Sequence, residues 1–338
     1  MGAQPAPGVV RLLEGAGAFA RVGEEAAAIG ARALIVSPAY PDAREVALLQ
    51  DLGARLRAAR VGSHPFPRVP RPGTALDACL RLAAEAARES RCRLVVGLGD
   101  AEPLQVARWA AGSALLPSLV VPTVVGYGPA DSGRSCPLPD VLISDPATCR
   151  GSAPRRTAVV GVQFLTGLLE RYAGNGAAAL VAEAELALEE GMRLLIDALP
   201  AAIATSDDPA PRVQLALATA RAAEGMAAAG PGPTPIELAV MRLPRGGSDV
   251  VDLRALVLPA AMESCGDAPA ALNRERVARF GRQVLGIREA DDGRAASWAA
   301  GGIQQWVRNL GFATRLPAGS PGGGPDPALQ GILGRAED

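Results

Sequence analysis

LVVGLGDAEPLQVARWA, residues 94–110, reads as a strand (94–98), a tight glycine turn at Gly97 and Gly99, and a helix starting near Asp100. A strand that turns sharply into a helix is the building unit of open α/β sheets. Ligands gather at that junction because turn amides and the helix N-terminus converge beyond the strand's carboxyl end. Where a phosphate cradle needs more glycine, this turn carries Asp100, Ala101 and Glu102.

Working outward, the first half alternates strand and helix. Residues 9–15 read as a strand leading into an Ala-rich helix over 18–29, and the apolar run 32–37 as a buried parallel strand. A helix is expected over 43–59, then a polar, proline-rich loop through Pro72 containing His64. Thr74 caps an amphipathic helix to Ser90, with Leu76, Cys79, Leu80 and Leu82 on its apolar side. Further strands are expected at 119–122 and 141–144, and Asp145–Pro146 begins the next element. The rhythm predicts a Rossmann-like parallel sheet with helices on both faces, in a domain of residues 1–150.

After about Arg150 the period turns helical. Helices are expected at 155–172, 178–199, 212–229, 236–242, 250–265, 270–285 and 297–310, followed by a Gly/Pro-rich linker and a short last helix. An α/β N-terminal domain followed by an all-α domain over 151–338 leaves a cleft between the two.

The 338 residues suffice for two cores, and the net charge of −1 gives no footprint for nucleic acid. The N-terminus lacks the pattern of a signal peptide, and the uncharged run 157–169 is too short to span a bilayer, so a cytoplasmic protein off the membrane is expected. No lysine occurs and all 34 basic residues are arginine, which excludes Schiff-base chemistry and a phosphate-binding lysine. A single histidine rules out a site with several His ligands in one chain. The five cysteines show no CxxC spacing and read as reduced, mostly buried thiols.

The order of elements is accompanied by specific strings: EGAGAFARVGEEAAAIGARALIVS (14–37), VVGLG (95–99), VARWAAG (106–112), VVPTVVGYG (120–128), ISDPATC (143–149), GVQFLTGLLERY (161–172) and ALVLPAAMES (255–264). In these the chain resembles the iron-dependent alcohol dehydrogenase superfamily, of dehydroquinate synthase-like fold, and within it the maleylacetate reductases. The resemblance implies NAD(P)H in the first domain and, in most members, Fe²⁺ or Zn²⁺ held by one Asp and three His in the second.

Residue by residue, little of that machinery carries over. The family's GGGS turn stands here as Gly99, Asp100, Ala101 and Glu102. Its second phosphate loop, usually TTxGTGS, stands as Thr123, Val124, Val125, Gly126, Tyr127, Gly128 and Pro129. The resemblance therefore makes Gly97, Gly99, Thr123, Gly126 and Gly128 vestigial cofactor-binding positions. The metal-binding Asp and His match Gln163 and Gly167, with the neighbouring Gly161 and Glu170 retained, and the remaining ligands align near 236–240 and Val250, where no histidine stands. No metal is expected. No cofactor is expected either, with NAD(P)H as the fallback.

Asp100 and Glu102 have a plain reading as N-cap and first-turn acid of a helix, beside which a catalytic carboxylate needs a partner. Gln163 either bonds to local backbone or orients a ligand in the cleft. Tyr127, in its glycine-flanked loop, is a general acid, a ligand stack or a locally packed ring. Asp131 and Arg134 are polar residues of the same loop, and Gln163, Tyr127 and Arg134 form the candidate catalytic set. Arg242, Arg245 and Arg254, with Glu237, Asp249 and Asp252, read as a solvated helix face, or as a clamp for a substrate carboxylate. Cys265 has no histidine to activate it and reads as structural.

Three functions stay open. One is a metal-independent enzyme using the cleft for non-redox proton transfer, cyclisation or isomerisation of a small metabolite, with specialised metabolism as a compatible setting. The others are a metal-free NAD(P)H-dependent reductase of maleylacetate reductase type and a catalytically silent partner subunit. A homodimer, or a heteromer with a related enzyme, is the expected assembly.

Overall fold

The computed structural model describes residues 10–69, 77–126, 137–174, 180–229, 236, 250–265 and 272–312. Its first part is a six-stranded sheet, all parallel: β1 (Arg11–Glu14), β2 (Arg32–Pro38), β3 (Gly62–Val69), β4 (Leu94–Gly99), β5 (Ser118–Pro122) and β6 (Val141–Ser144). The spatial order is β1-β6-β5-β4-β2-β3, so the winding reverses between β2 and β4. In β2, Ala33 and Ile35 face one core, with α1 (Val22–Ile29) and α2 (Ala43–Ala58), while Leu34 and Val36 face the other, with α3 (Asp77–Glu89) and α4 (Ala101–Ala114). Burial on both faces is why the strands read as unbroken apolar runs.

Residues 62–69 correct the expected loop. The prolines at 65 and 67 mark the edge strand β3, where a missing backbone N–H breaks no inner ladder, and His64 is exposed on it. A second correction concerns Leu82, which is 44 % exposed, while Cys79 and Leu80 of the same helix are buried. Thr74, Leu76 and the expected helices over 236–242 and beyond 312 fall outside the described residues, apart from Ile236.

Asp145 starts the next element as expected: its side chain accepts from Ala147 N–H and Phe19 N–H, capping the short α5 (Pro146–Cys149). Helices follow: α6 (Pro154–Ala173), α7 (Ala182–Ala204), α8 (Pro209–Ala229), α9 (Val250–Glu263), α10 (Arg274–Gln283) and α11 (Asp292–Asn309). They share one apolar core, which Val124 and Val125 from the end of the sheet also enter. Ala223 of α8 packs with Leu104, Val120 and Leu142, tying the helices to the sheet. Cys79, Cys92, Cys149 and Cys265 are free thiols and buried. Among the described residues no helix is long and apolar enough to cross a membrane.

A carboxylate-rich cleft at the switch point

The carboxyl ends of β2, β3 and β4 open where the winding reverses, the position at which open α/β sheets hold their ligands. A cleft of about 250 Å³ lies there, between Pro38–Tyr40 after β2, Val69 at the end of β3, Asp100–Pro103 at the start of α4, and one face of α6. That face carries Arg156, Val159, Val160 and Gln163, spaced i, i+3, i+4 and i+7.

Arg156 is the hub of the cleft wall. Its Nε donates to Asp100 Oδ2 at 2.7 Å, one terminal nitrogen to Glu45 Oε1 at 2.7 Å, and the other faces Asp42 Oδ2 at 3.4 Å. Burial works against its charge, but Asp100 and Glu45 outweigh that and raise its affinity for the proton. Asp42 and Glu45 are presented by a reciprocal capping box at the start of α2, with Glu45 N–H donating to Asp42 and Asp42 N–H to Glu45. A helix-start device thus aims two carboxylates at an arginine more than a hundred positions away.

Asp100 takes the N-cap position of α4 but makes no side-chain capping bond. This corrects the plain capping reading: an arginine from α6 outcompetes the local amides for the carboxylate, because a charge-assisted bond is the stronger. Glu102 is only 6 % exposed and lines the cleft. Burial pushes its carboxyl up to about 7, the neighbouring Asp100 adds to the rise, and its own backbone N–H, Arg254 and Arg156 only partly oppose it. No other described side chain comes within hydrogen-bond or ion-pair distance of that carboxyl.

Arg254 overturns a second expectation. It is fully buried on α9 instead of lying on a solvated face, its proton affinity lowered to about 10 by burial and partly restored by Glu102. Arg242, Arg245, Glu237 and Asp249 lie outside the described residues, as do Tyr127, Gly128, Asp131 and Arg134; Asp252 is described as part of α9 in its backbone only.

Gln163 is 2 % exposed and lines the cleft, and Gly167 is buried one turn further along α6. Gly97 abuts α4 at Ala107, and Gly99 turns the chain where a side chain would run into Pro103. Thr123 has its N–H on Gly99 O and its hydroxyl on Glu45 at 3.3 Å, while its carbonyl accepts from Arg44 at 2.8 Å. Gly126 has φ +67°, and a Cβ there would lie 2.5 Å from the Phe164 ring. Its N–H donates to the Thr219 hydroxyl at 2.9 Å. The Thr123 and Gly126 groups of this second turn are therefore engaged inside the protein.

Sequence reading missed Arg156, Glu45, Asp42 and Tyr40. The capping-box spacing at 42–45 and the shared face of 156 and 163 were both visible, but nothing in the sequence joins them across the cleft. Among the described residues, no three His, Cys, Asp or Glu side chains converge as metal ligands.

No protein-family model and no curated protein matches the chain. Solved structures do. A 1,3-propanediol oxidoreductase superposes with a TM-score of 0.77 at 20 % identity, over 99 % of this chain and 100 % of that one. An alcohol dehydrogenase from an archaeal halo-thermophile of a Red Sea brine pool gives 0.75 at 18 %, over 98 % and 92 %. Maleylacetate reductase from Agrobacterium tumefaciens gives 0.68 at 19 %, over 99 % and 97 %. The chain carries the fold of the iron-type alcohol dehydrogenases, with maleylacetate reductase among its structural neighbours.

Proposed function

We propose that this chain uses the switch-point cleft for metal-independent, non-redox proton transfer on a small metabolite. The observation that carries the reading is Glu102, a buried carboxyl lining the cleft with Asp100 beside it and, among the described residues, no ion-pair partner of its own. Its proton affinity near neutrality suits a group that must both accept and return a proton. In this reading Glu102 takes a proton from a C–H or O–H of the bound molecule and delivers it to another atom, an isomerisation or cyclisation that needs no co-reactant. Arg156 fixes Asp100, and Asp100 in turn keeps the Glu102 proton affinity high. Gln163 orients the molecule from the opposite wall.

A dinucleotide suits these residues poorly. Asp100 and Glu102 stand at the helix N-terminus where a pyrophosphate would sit, and two like charges at a few ångströms oppose it by several kcal/mol, roughly, at intermediate dielectric. The Gly126 amide and the Thr123 hydroxyl already have partners within the protein. Metal coordination lacks ligands as well, since Gln163 and Gly167 stand where the family's Asp and His are expected. No separate observation favours a silent subunit.

The test uses the native host. Glu102→Gln and Gln163→Leu preserve volume and remove only polar function. In a strain deleted for the gene, the wild-type copy restores the missing metabolite, and both variants, at normal protein level, are expected not to. Restoration by Glu102→Gln contradicts the reading.

A further inference from the structure

The charge arrangement of the cleft says which kind of molecule it selects. Among the described residues, the acidic and basic side chains that line it are Asp100, Glu102 and Arg156. The one cation among them is over-neutralised, because each of its three nitrogens already faces a different carboxylate. An incoming carboxylate or phosphate would have to approach Asp42, Glu45 and Asp100 to reach that guanidinium. Arg254 lies buried behind Glu102 and lines no part of the cleft. Among the described residues, an anion entering here therefore meets mainly like charge.

A cation meets the opposite. Glu102 is more than nine-tenths buried, lines the cleft, and among the described residues has no carboxylate-binding side chain in contact, so it offers an acceptor whose desolvation the fold has already imposed. At the mouth, the 77 % exposed Tyr40 adds an aromatic ring to the lining, a group type that favours positive charge. Pro38, Val69, Pro103, Val159 and Val160 supply apolar walls between the two. Carboxylate at the floor, aromatic ring at the rim and apolar sides match an organic ammonium with a compact hydrocarbon body.

We propose that the cleft takes a small protonated amine with an apolar body in preference to a carboxylate or phosphate. This rests on the reading above that the switch-point cleft is the working site, and it sets the polarity of the substrate opposite to that of an anion-binding reductase.

The experiment titrates the full-length protein with benzylamine, benzyl alcohol and benzoate, three probes that share one ring and differ in charge, at a pH where Glu102 is ionised. Calorimetry is expected to rank benzylammonium first, about tenfold tighter than benzoate, as expected for one desolvated ionic contact. Glu102→Gln, close in shape to the native side chain, is expected to remove that preference. Benzoate binding as tightly as the amine, neither probe binding at millimolar concentration, or a preference unchanged in Glu102→Gln each overturns the proposal. The two readings fail separately. If the amine preference holds and depends on Glu102 while Glu102→Gln still restores the metabolite in the host, the proton-transfer role falls and the cation site stands.

Discussion

The turns that follow β4 and β5 sit side by side at the end of the same sheet, and each is closed by different physics. The β5 turn is closed by packing: Gly126 lies against the Phe164 ring with its amide on Thr219, and Val124 and Val125 enter the helical core. The β4 turn is closed by charge: Asp100 is drawn to Arg156, and Glu102 lines the cleft with no counter-ion in contact among the described residues. In the turn filled by apolar contacts, the described polar groups, the Gly126 amide and the Thr123 hydroxyl, are spent on internal partners. One filled by carboxylates keeps a proton-active group in a solvent-reachable cleft. The contrast distinguishes the described parts of two loops that would read as equivalent phosphate loops.

Changing Gly126 to Val attacks the packed turn and is expected to do the most damage. A branched side chain at φ +67°, aimed into Phe164, combines backbone strain with overpacking, together about 4 kcal/mol of lost stability. Urea unfolding checks this, and a loss under about 1 kcal/mol would mean the turn is far looser than described.

Arg156→Ala attacks the charged turn instead. It strips Glu45, which is 1 % exposed, and Asp100 of their shared cation, and with Arg156 itself a quarter exposed the loss is expected at about 2–3 kcal/mol. Arg156→Lys is expected to recover less than half, because an ammonium cannot reach three carboxylates in a planar fork.

The smallest effect is a slope. The native state holds the Glu102 proton up to about 7, whereas the unfolded chain releases it near 4.5. Between those values the native state binds more protons, so this group lowers stability as pH rises from 4.5 towards 7. Glu102→Gln removes that decline and is expected to be more stable than the wild type above pH 7 by roughly 1–3 kcal/mol, with the advantage gone below 4.5.

Most of the fold was legible in the sequence because its signals are local. Buried strands such as LVVGLG and VLIS declare themselves by unbroken apolar runs, and the helices after Arg150 by their period. The miss at 62–69 has a physical cause: prolines read as loop until a neighbouring strand reveals that β3 lies at the edge. The site was half legible. Of the residues lining the cleft, Gln163 could be singled out by resemblance, and Asp100 and Glu102 stood out as acids in a phosphate turn. What joins them could not be read, since the contacts from Arg156 to Asp42, Glu45 and Asp100 span sequence separations that no local pattern encodes. Arg254 reads as part of a solvated face because mixed charge on a helix has that pattern, whereas its burial close to Glu102 is a tertiary feature.

The account turns on the protonation of Glu102, and a site-resolved ¹³C titration of its carboxyl by NMR in the full-length protein measures it directly. The expected midpoint is about 7, falling towards the ordinary carboxylate range in Asp100→Asn as the neighbouring negative charge is lost. A wild-type midpoint near 4.5 would contradict the account, leaving Glu102 a plain first-turn acid of α4 with no proton to exchange at neutral pH.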